Sequence, residues 1–299
     1  MSLKHQAPLV WKSVGAQHAA PVFYDKDGPV AIVTLNRPHV LNAYDVAMRD
    51  ALYETLGAVR DDPEVGAMIL RGNGPAFCTG GDVREFGRAP SPVMARDVRW
   101  RRDVWRLLRS LPQATVAAVH GYAVGGGFEM ALLCDICIAA DDARFAYPET
   151  GLAMIPGVAG TQTTPRALGL GRALDLILTG RWLSAAEAYR LGIVVRVVPR
   201  KALHATAIDL ARRVCALPSS LVARAKRAVH DGIELSLADG LALEARLTSL
   251  IGRGCRVSPA AVASFKKPEV IRFVDELPKN PMGKILKKDL RKQSSEASQ

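Results

Sequence analysis

The stretch HGYAVGGGFE, residues 120–129, places three consecutive glycines just before a glutamate. A β-rich run, residues 115–119, precedes it, and residues 125–133 read as a glycine turn that opens an apolar helix. Glycine allows the backbone to turn tightly, and the first N–H groups of a helix have no partner inside the helix. Those N–H groups carry partial positive charge and favour an oxyanion. The stretch therefore predicts a strand, a turn with free backbone donors, and a helix.

The segments around this stretch alternate between strand and helix patterns. Residues 30–35 (VAIVTL) and 65–71 are aliphatic runs closed by turn residues, which is typical of strands. Residues 45–60 repeat apolar side chains at helical spacing, and residues 93–108 form a strongly basic, helix-like stretch. Strands and helices alternate from about residue 22 to 200, and helices dominate to about 252. This order predicts an α/β domain with parallel strand segments and a helical C-terminal region.

Composition excludes several classes of protein. The chain has 299 residues, of which 49% are hydrophobic and 23% are charged, as in soluble globular proteins. An apolar run of about 18 residues is absent from the sequence, so no membrane span is expected. Residues 1–20 lack the apolar core of a signal peptide, which favours a cytoplasmic location. The five cysteines are an odd number in a long chain and are expected to be free thiols.

The net charge of +11 is concentrated near the C-terminus. Residues 253–292 hold eleven basic and four acidic side chains, which is +7 of the total. Such a patch is either a solvated surface or a site for an acidic partner. Zinc-finger spacing, RNA-binding aromatic motifs and heptads are absent from the sequence, so no nucleic-acid partner is expected.

A second glycine turn and two glutamates are the other candidate site features. FCTGGD, residues 77–82, ends a strand with paired glycines. Glu129 lies in an apolar helix, where a carboxylate is either functional or a complement to the helix dipole. Glu149 lies in a loop bounded by proline and glycine, where a surface role is the ordinary one. Two carboxylates that face one pocket would suit general acid–base chemistry.

Several motifs occur together in the order and spacing of one known family. They are Leu35-Asn36-Arg37-Pro38, Leu41-Asn42-Ala43, residues 77–82, residues 120–129, Cys134-Asp135, Pro148-Glu149, Ile155-Pro156-Gly157, Thr161-Gln162 and Gly192-Ile193-Val194. Each motif alone is weak, but together they cover roughly residues 22–250. On this joint match the chain resembles the enoyl-CoA hydratase (crotonase) family.

The resemblance implies a spiral of β-β-α units, assembly into a homotrimer or hexamer, and an acyl-CoA thioester as substrate. It implies that the backbone N–H groups of Gly81 and Gly126 hold the thioester oxygen in an oxyanion hole. By the same match, Glu129 positions and deprotonates the water that attacks C3, and Glu149 delivers a proton to C2. No metal or redox cofactor is implied, and coenzyme A enters only as part of the substrate.

Further substrate contacts follow from the same resemblance. They are Ala43, Gly80, Asp82, Arg84, Phe86 and Gly125. Arg84 matches a position near the CoA phosphates, and residues 86–105 match the segment that lines the acyl pocket. The arginines of that segment are expected to form a solvated face, although a role as acyl-group readers stays open. Its aromatic residues either border a bulky acyl group or belong to the helix core.

The C-terminal segment has a different resemblance. Residues 255–292 are similar to the end of AMP-forming acyl-CoA synthetases, and Lys284 matches a lysine that serves adenylate formation there. We therefore predict an N-terminal extension over residues 1–21, a crotonase-like domain over 22–252 and a basic tail over 253–299. The tail is a docked fusion, a loose passenger or a segment that handles CoA.

Enoyl-CoA hydratase activity is the leading functional hypothesis, namely reversible syn addition of water to a trans-2-enoyl-CoA. The presence of both glutamates favours hydration, because related isomerases often keep only the second. The alternatives are a dehydratase or double-bond isomerase of a specialised acyl-CoA, and an inactive CoA-ester-binding protein. The last would follow if the exchanged C-terminal helices had abolished turnover.

Overall fold

The computed structural model of the chain describes residues 20–250. Its strands are β1 (Val22–Asp27), β2 (Val30–Leu35), β3 (Ala67–Gly72), β4 (Ala114–Val119), β5 (Tyr122–Val124), β6 (Ile136–Ala140), β7 (Arg144–Ala146), β8 (Leu183–Ser184) and β9 (Arg196–Val198). The main sheet has the order β1-β2-β3-β4-β6-β9, in which β1 is antiparallel to β2 and all other pairs are parallel. A smaller sheet has the order β5-β7-β8.

The helices alternate with these strands and then follow one another. They are α1 (Val46–Asp61), α2 (Pro92–Arg101), α3 (Val104–Ser110), α4 (Gly126–Leu133), α5 (Gly160–Leu168), α6 (Leu170–Thr179), α7 (Ala185–Arg190), α8 (Leu203–Cys215), α9 (Ser219–Gly232) and α10 (Leu237–Ser249). Short 3₁₀ helices include Val83–Glu85 and Glu149–Leu152. The predicted α/β pattern with a helical C-terminal region is therefore present.

Both faces of the main sheet are covered, which explains its continuous apolar strands. Strands β2 and β4 are buried at every residue. Successive side chains of a strand point to opposite faces, so Val33 packs in the cluster that contains Leu52 of α1, and Ile32 packs in the cluster that contains Ala207 of α8. Helices therefore cover both faces of the sheet. Because its inner strands are parallel, their carboxyl ends lie at the same edge of the sheet.

The predicted helix starts agree with the structure, with one break that was not foreseen. Asp45 caps α1 by accepting a hydrogen bond from the Met48 N–H at 2.8 Å, as its residue type favours. The helix-like stretch 93–108 is two helices, because Asp103 interrupts it and accepts a hydrogen bond from the Arg106 N–H at 3.0 Å to cap α3.

Asp135 joins helix α9 to the main sheet. Its Oδ2 accepts hydrogen bonds from the Thr115 N–H at 2.7 Å and from Lys226 Nζ at 2.8 Å. Its Oδ1 lies 2.7 Å from His230 Nε2. Burial raises the pKa of this carboxyl, but the bonds from His230 and Lys226 outweigh burial and hold the pKa below its usual range. Asp135 is therefore an ionised anchor for the C-terminal helices.

Replacing Asp135 with alanine is expected to lower the free energy of unfolding by about 3 kcal/mol, because the largely buried Lys226 loses its charged partner and keeps only the Gln113 carbonyl. Urea denaturation at pH 7 measures this change. The difference from the unaltered protein should shrink as the pH falls through the depressed pKa of Asp135, since the protonated carboxyl no longer pairs. Asp61→Ala, which removes an exposed partner of Arg60, is the matched control and should leave stability nearly unchanged, because solvent screens an exposed ion pair. Equal losses in the two variants would contradict the anchor.

The described residues up to Thr248 belong to one compact unit. Residues 1–19 and 251–299 lie outside the described residues. The predicted N-terminal extension, the 253–299 tail and Lys284 therefore stay predictions. Within residues 20–250, no helix is long and apolar enough to cross a membrane.

Candidate active site

A cleft of about 1960 Å³ lies where the two glycine turns meet. Gly81 and Gly126 line it together with Glu129 and Glu149. Many residues between Phe86 and Arg109 also line it. The structure thus brings both turns and both carboxylates, which are far apart in the sequence, to one cavity.

The first glycine turn is fixed by backbone hydrogen bonds on both sides. Cys78 pairs with β5, since its N–H donates to the Tyr122 carbonyl at 3.0 Å. The Tyr44 N–H donates to the Gly80 carbonyl at 2.8 Å, and the Asp82 N–H donates to the Tyr44 carbonyl at 2.9 Å. These bonds leave the N–H of Gly81 between two anchored neighbours. Hydrogen bonds from Gly81 N or Gly126 N to other protein atoms are absent from the described part of the chain.

The second glycine turn needs glycine because other groups approach the backbone closely. Gly125 has φ +51°, and a Cβ there would overlap Oε1 of Glu149. A Cβ on Gly127 would overlap the backbone carbonyl of Cys78. The two turns are also adjacent, because a Cβ on Gly80 would lie 3.2 Å from the Gly126 nitrogen. The amides of Gly81 and Gly126 thus lie in adjacent turns and have no partner within residues 20–250, as an oxyanion site requires.

Glu129 is buried on the first turn of α4, and another helix satisfies its carboxylate. Its Oε1 accepts hydrogen bonds from the N–H groups of Val158 at 2.9 Å, Ala159 at 2.8 Å and Gly160 at 2.5 Å. These donors lie at the start of α5, where N–H groups lack intrahelical partners. The sequence left two roles open for Glu129, a functional carboxylate or a complement to the dipole of its own helix. Because the carboxylate accepts N–H groups of a second helix, the dipole of its own helix does not account for its position.

Glu149 begins a 3₁₀ helix after β7 and has a different environment. Burial, with a smaller contribution from the nearby charge of Glu129, raises the pKa of Glu149 to about 7. Its Oε2 is buried and has no hydrogen-bond partner among residues 20–250. The two carboxyl groups therefore differ in kind: one is held by three donors, and the other is poised to be protonated near neutral pH.

Asp82 lines the cleft, but its carboxylate is occupied by two arginines. Arg84 Nη2 lies 2.6 Å from its Oδ2, and Arg37 Nη2 lies 3.3 Å from the same atom. The hydrogen bond from Arg84 is the main reason that the pKa of Asp82 lies well below its usual range, although burial opposes it. Asp82 therefore acts here as an anchor for the turn and for Arg84.

Arg84 and Phe86 line the cleft, whereas Ala43 does not. The Arg84 side chain is 61% exposed, which suits contact with a large mobile ligand. The Phe86 ring covers Gly81, because a Cβ there would lie 3.0 Å from its Cζ. The Ala43 carbonyl accepts a hydrogen bond from Arg37 Nη1 at 2.5 Å.

The structure adds cleft residues that the sequence analysis did not single out. Tyr44 and Arg49 line the cavity, and the only signal for Tyr44 was its place directly after the Leu-Asn-Ala motif. Trp105 packs edge-on against Tyr44 with ring centroids 5.2 Å apart. The arginines of residues 86–105 are exposed, as expected for a solvated face, and some of them, such as Arg99, also line the cleft.

A family model described as enoyl-CoA hydratase/isomerase matches residues 25–259. The chain belongs to this family. The match covers most of the chain and includes both turns and both glutamates, so the predicted family membership is confirmed.

Relatives within the enoyl-CoA hydratase/isomerase family cover most of the chain. A probable enoyl-CoA hydratase of Mycobacterium bovis is 40% identical over 76% of this chain and 87% of its own length. A short-chain-enoyl-CoA hydratase of Clostridium acetobutylicum is 37% identical over 75% of this chain and 86% of its own length. The crystal structure of an enoyl-CoA hydratase from Bacillus anthracis superposes with a TM-score of 0.76 at 34% identity, over 82% of this chain and 96% of that one. The predicted crotonase fold is therefore confirmed.

Proposed function

We propose that the chain is an enoyl-CoA hydratase, which adds water reversibly and syn to a trans-2-enoyl-CoA. The main support is that Glu129 and Glu149, in contrasting environments, line one cleft with Gly81 and Gly126, whose amides have no partner in the described part of the chain. The names of the relatives support the same reaction.

The glycine amides would activate the substrate. In the proposed complex the thioester oxygen accepts hydrogen bonds from Gly81 N and Gly126 N. Negative charge develops on this oxygen as water attacks the conjugated double bond, so the donors stabilise the enolate-like state more than the ground state. Removal of one such donor typically lowers kcat by about 10²–10³-fold.

The two carboxyl groups would divide the proton transfers. The Glu129 carboxylate takes a proton from water while the water oxygen bonds to C3. The π electrons of the double bond move toward C2 and the thioester oxygen, and the Glu149 carboxyl donates its proton to C2. Glu129 then carries a proton and Glu149 a charge, and exchange with solvent restores both. Water is thereby added without any net change in the enzyme.

The two glutamates and the two glycine amides provide every group that the proposed steps require, so the proposal includes no metal or redox cofactor. Coenzyme A takes part only as the carrier of the acyl group. The homotrimer or hexamer, the cytoplasmic location and the lack of a nucleic-acid partner stay predictions from the sequence. The contacts predicted for Ala43, Gly80, Asp82, Arg84, Phe86 and Gly125 stay proposals as well.

The pH profile of crotonyl-CoA hydration tests this assignment. Because Glu149 must be protonated to deliver a proton, kcat/KM for hydration should fall about tenfold per pH unit above pH about 7. Initial rates from pH 5 to 9 measure it, and 3-hydroxybutyryl-CoA is the expected product. A profile that rises above pH 7 would contradict the acid role.

A product survey separates the alternatives. A 3-enoyl-CoA incubated with the protein should be converted much more slowly than crotonyl-CoA is hydrated. Faster conversion of the 3-enoyl-CoA to its 2-enoyl isomer would favour an isomerase. Tight binding of both esters without turnover would favour the inactive binding protein.

A further inference from the structure

The ring of Tyr44 lies between the two glycine turns of the cleft. A Cβ on Gly126 would lie 3.0 Å from its Cε1, and a Cβ on Gly81 would lie 3.7 Å from its Cε2. The Tyr44 backbone is paired on both sides, because its N–H donates to the Gly80 carbonyl and its carbonyl accepts the Asp82 N–H. One aromatic side chain is therefore held against both residues whose amides the proposed function assigns to the thioester oxygen.

The Tyr44 hydroxyl lies on the side of Gly126 toward which the N–H of this glycine points. Gly126 is the first residue of α4. In a helix the Cα–Cβ direction tilts toward the N-terminus, and the first N–H groups point the same way. A Cβ on Gly126 would overlap the Tyr44 hydroxyl oxygen, so this oxygen occupies that direction. An acceptor held by the Gly126 N–H would therefore lie next to the phenol.

The hydroxyl has no acceptor in the part of the protein that the structure describes. Tyr44 lines the cleft, and its hydroxyl makes no hydrogen bond to any residue between positions 20 and 250. The hydrogen bonds to Glu129 Oε1 come from backbone N–H groups of α5, and Glu149 Oε2 has no partner in the same range, so neither glutamate takes this proton. A buried tyrosine hydroxyl usually has a partner, and a ligand atom in the cleft can take that place.

The phenol is protonated and its position is fixed. Burial is the main reason that the pKa of Tyr44 lies above its usual range, so the hydroxyl is a neutral donor at neutral pH. The ring packs edge-on against Trp105 with centroids 5.2 Å apart. A donor held in this way needs little rearrangement when negative charge develops beside it.

We propose that the Tyr44 hydroxyl is a third hydrogen-bond donor to the thioester oxygen, alongside the backbone N–H groups of Gly81 and Gly126. The inference rests on the proposed function, because that function places the thioester oxygen at the two amides. The phenol keeps its proton, so it stabilises the enolate-like state without entering the proton transfers of Glu129 and Glu149. A hydrogen bond to a charged oxygen is stronger than one to a neutral oxygen, so Tyr44 contributes more to kcat than to substrate binding.

The infrared carbonyl stretch of bound butyryl-CoA tests this contact without requiring hydration. Butyryl-CoA is saturated, and an isotope label in its thioester carbonyl separates the band from the amide bands of the protein. Hydrogen bonds to the oxygen weaken the C=O bond, so binding to the unaltered full chain should lower the stretching frequency. In Tyr44→Phe, which keeps the ring against Trp105, the frequency should return part of the way toward its value in solution. An equal frequency in the two proteins would overturn the proposal.

Steady-state kinetics and a control variant complete the test. Tyr44→Phe should lower kcat for crotonyl-CoA by about tenfold, while KM changes by less than about threefold. Tyr189→Phe removes the hydroxyl of an exposed tyrosine on α7, outside the cleft, and should change neither the carbonyl frequency nor kcat. A loss confined to KM would assign Tyr44 to ground-state binding and contradict the proposal.

The carbonyl frequency also separates this inference from the proposed function. A lowered frequency that Tyr44→Phe partly restores, in a protein that does not hydrate crotonyl-CoA, would support the third donor and reject the hydratase function. Hydration by the unaltered protein with the same frequency in Tyr44→Phe would reject the third donor alone. If binding to the unaltered protein left the frequency unchanged, the oxyanion site and its third donor would both be wrong.

Discussion

The Glu149→Gln variant is expected to lose hydration by about 10²–10⁴-fold in kcat while it still binds acyl-CoA esters. Glutamine has the shape of glutamate but cannot donate a carboxyl proton, so the step at C2 loses its acid. Because the carboxyl is partly buried and its Oε2 has no partner in residues 20–250, the amide should be tolerated by the fold. Initial rates with crotonyl-CoA, with titration of butyryl-CoA as a binding readout, measure both properties.

Glu64→Gln is the matched control for this variant. Its side chain is 80% exposed, pairs with Lys26 and is not part of the cleft. It should keep full activity. Unchanged kcat in Glu149→Gln would remove the proposed acid, whereas lost binding would assign Glu149 to substrate recognition instead.

The Glu129→Gln variant should show a similar loss of about 10²–10⁴-fold in kcat, for the opposite reason. Its amide oxygen can still accept the N–H groups of Val158, Ala159 and Gly160, but it can no longer take a proton from water. The structure of the site should therefore persist while the base is lost. Single-turnover hydration of crotonyl-CoA, with a thermal melt of the same sample, separates these effects.

A second substitution at this position distinguishes catalysis from folding. Glu129→Ala leaves buried N–H groups at the start of α5 without an acceptor and should lower the free energy of unfolding by about 1–3 kcal/mol. The glutamine variant should be much closer to the unaltered protein. If glutamine and alanine destabilised the fold equally, the loss of rate could not be assigned to the proton transfer.

The sequence predicted the turns and carboxylates of the site but not their local support. The glycine run before Glu129 and the glycine pair at residues 80–81 were visible as strand-end turns, and their joint spacing indicated the family. Glu129 accepts hydrogen bonds from three N–H groups at the start of α5, about thirty positions further along the chain. No local pattern in the sequence indicates such a contact.

The basic segment at residues 93–108 shows a second limit of what the sequence pattern can predict. Basic residues throughout 93–108 favoured one solvated helix, and its arginines are exposed, but Asp103 divides the segment by capping α3. Tyr44 had no periodic signal, because its position depends on backbone pairing with residues 80 and 82. Backbone pairing between such distant segments depends on tertiary contacts and not on local propensity.

A crystal structure of Glu149→Gln with crotonyl-CoA tests the central claim most directly, because slow turnover should preserve the substrate. We predict the thioester oxygen about 2.7–3.1 Å from both Gly81 N and Gly126 N. C3 should face Glu129, and C2 should face the side chain at position 149. A thioester oxygen bound elsewhere, or a double bond remote from both side chains, would contradict the account.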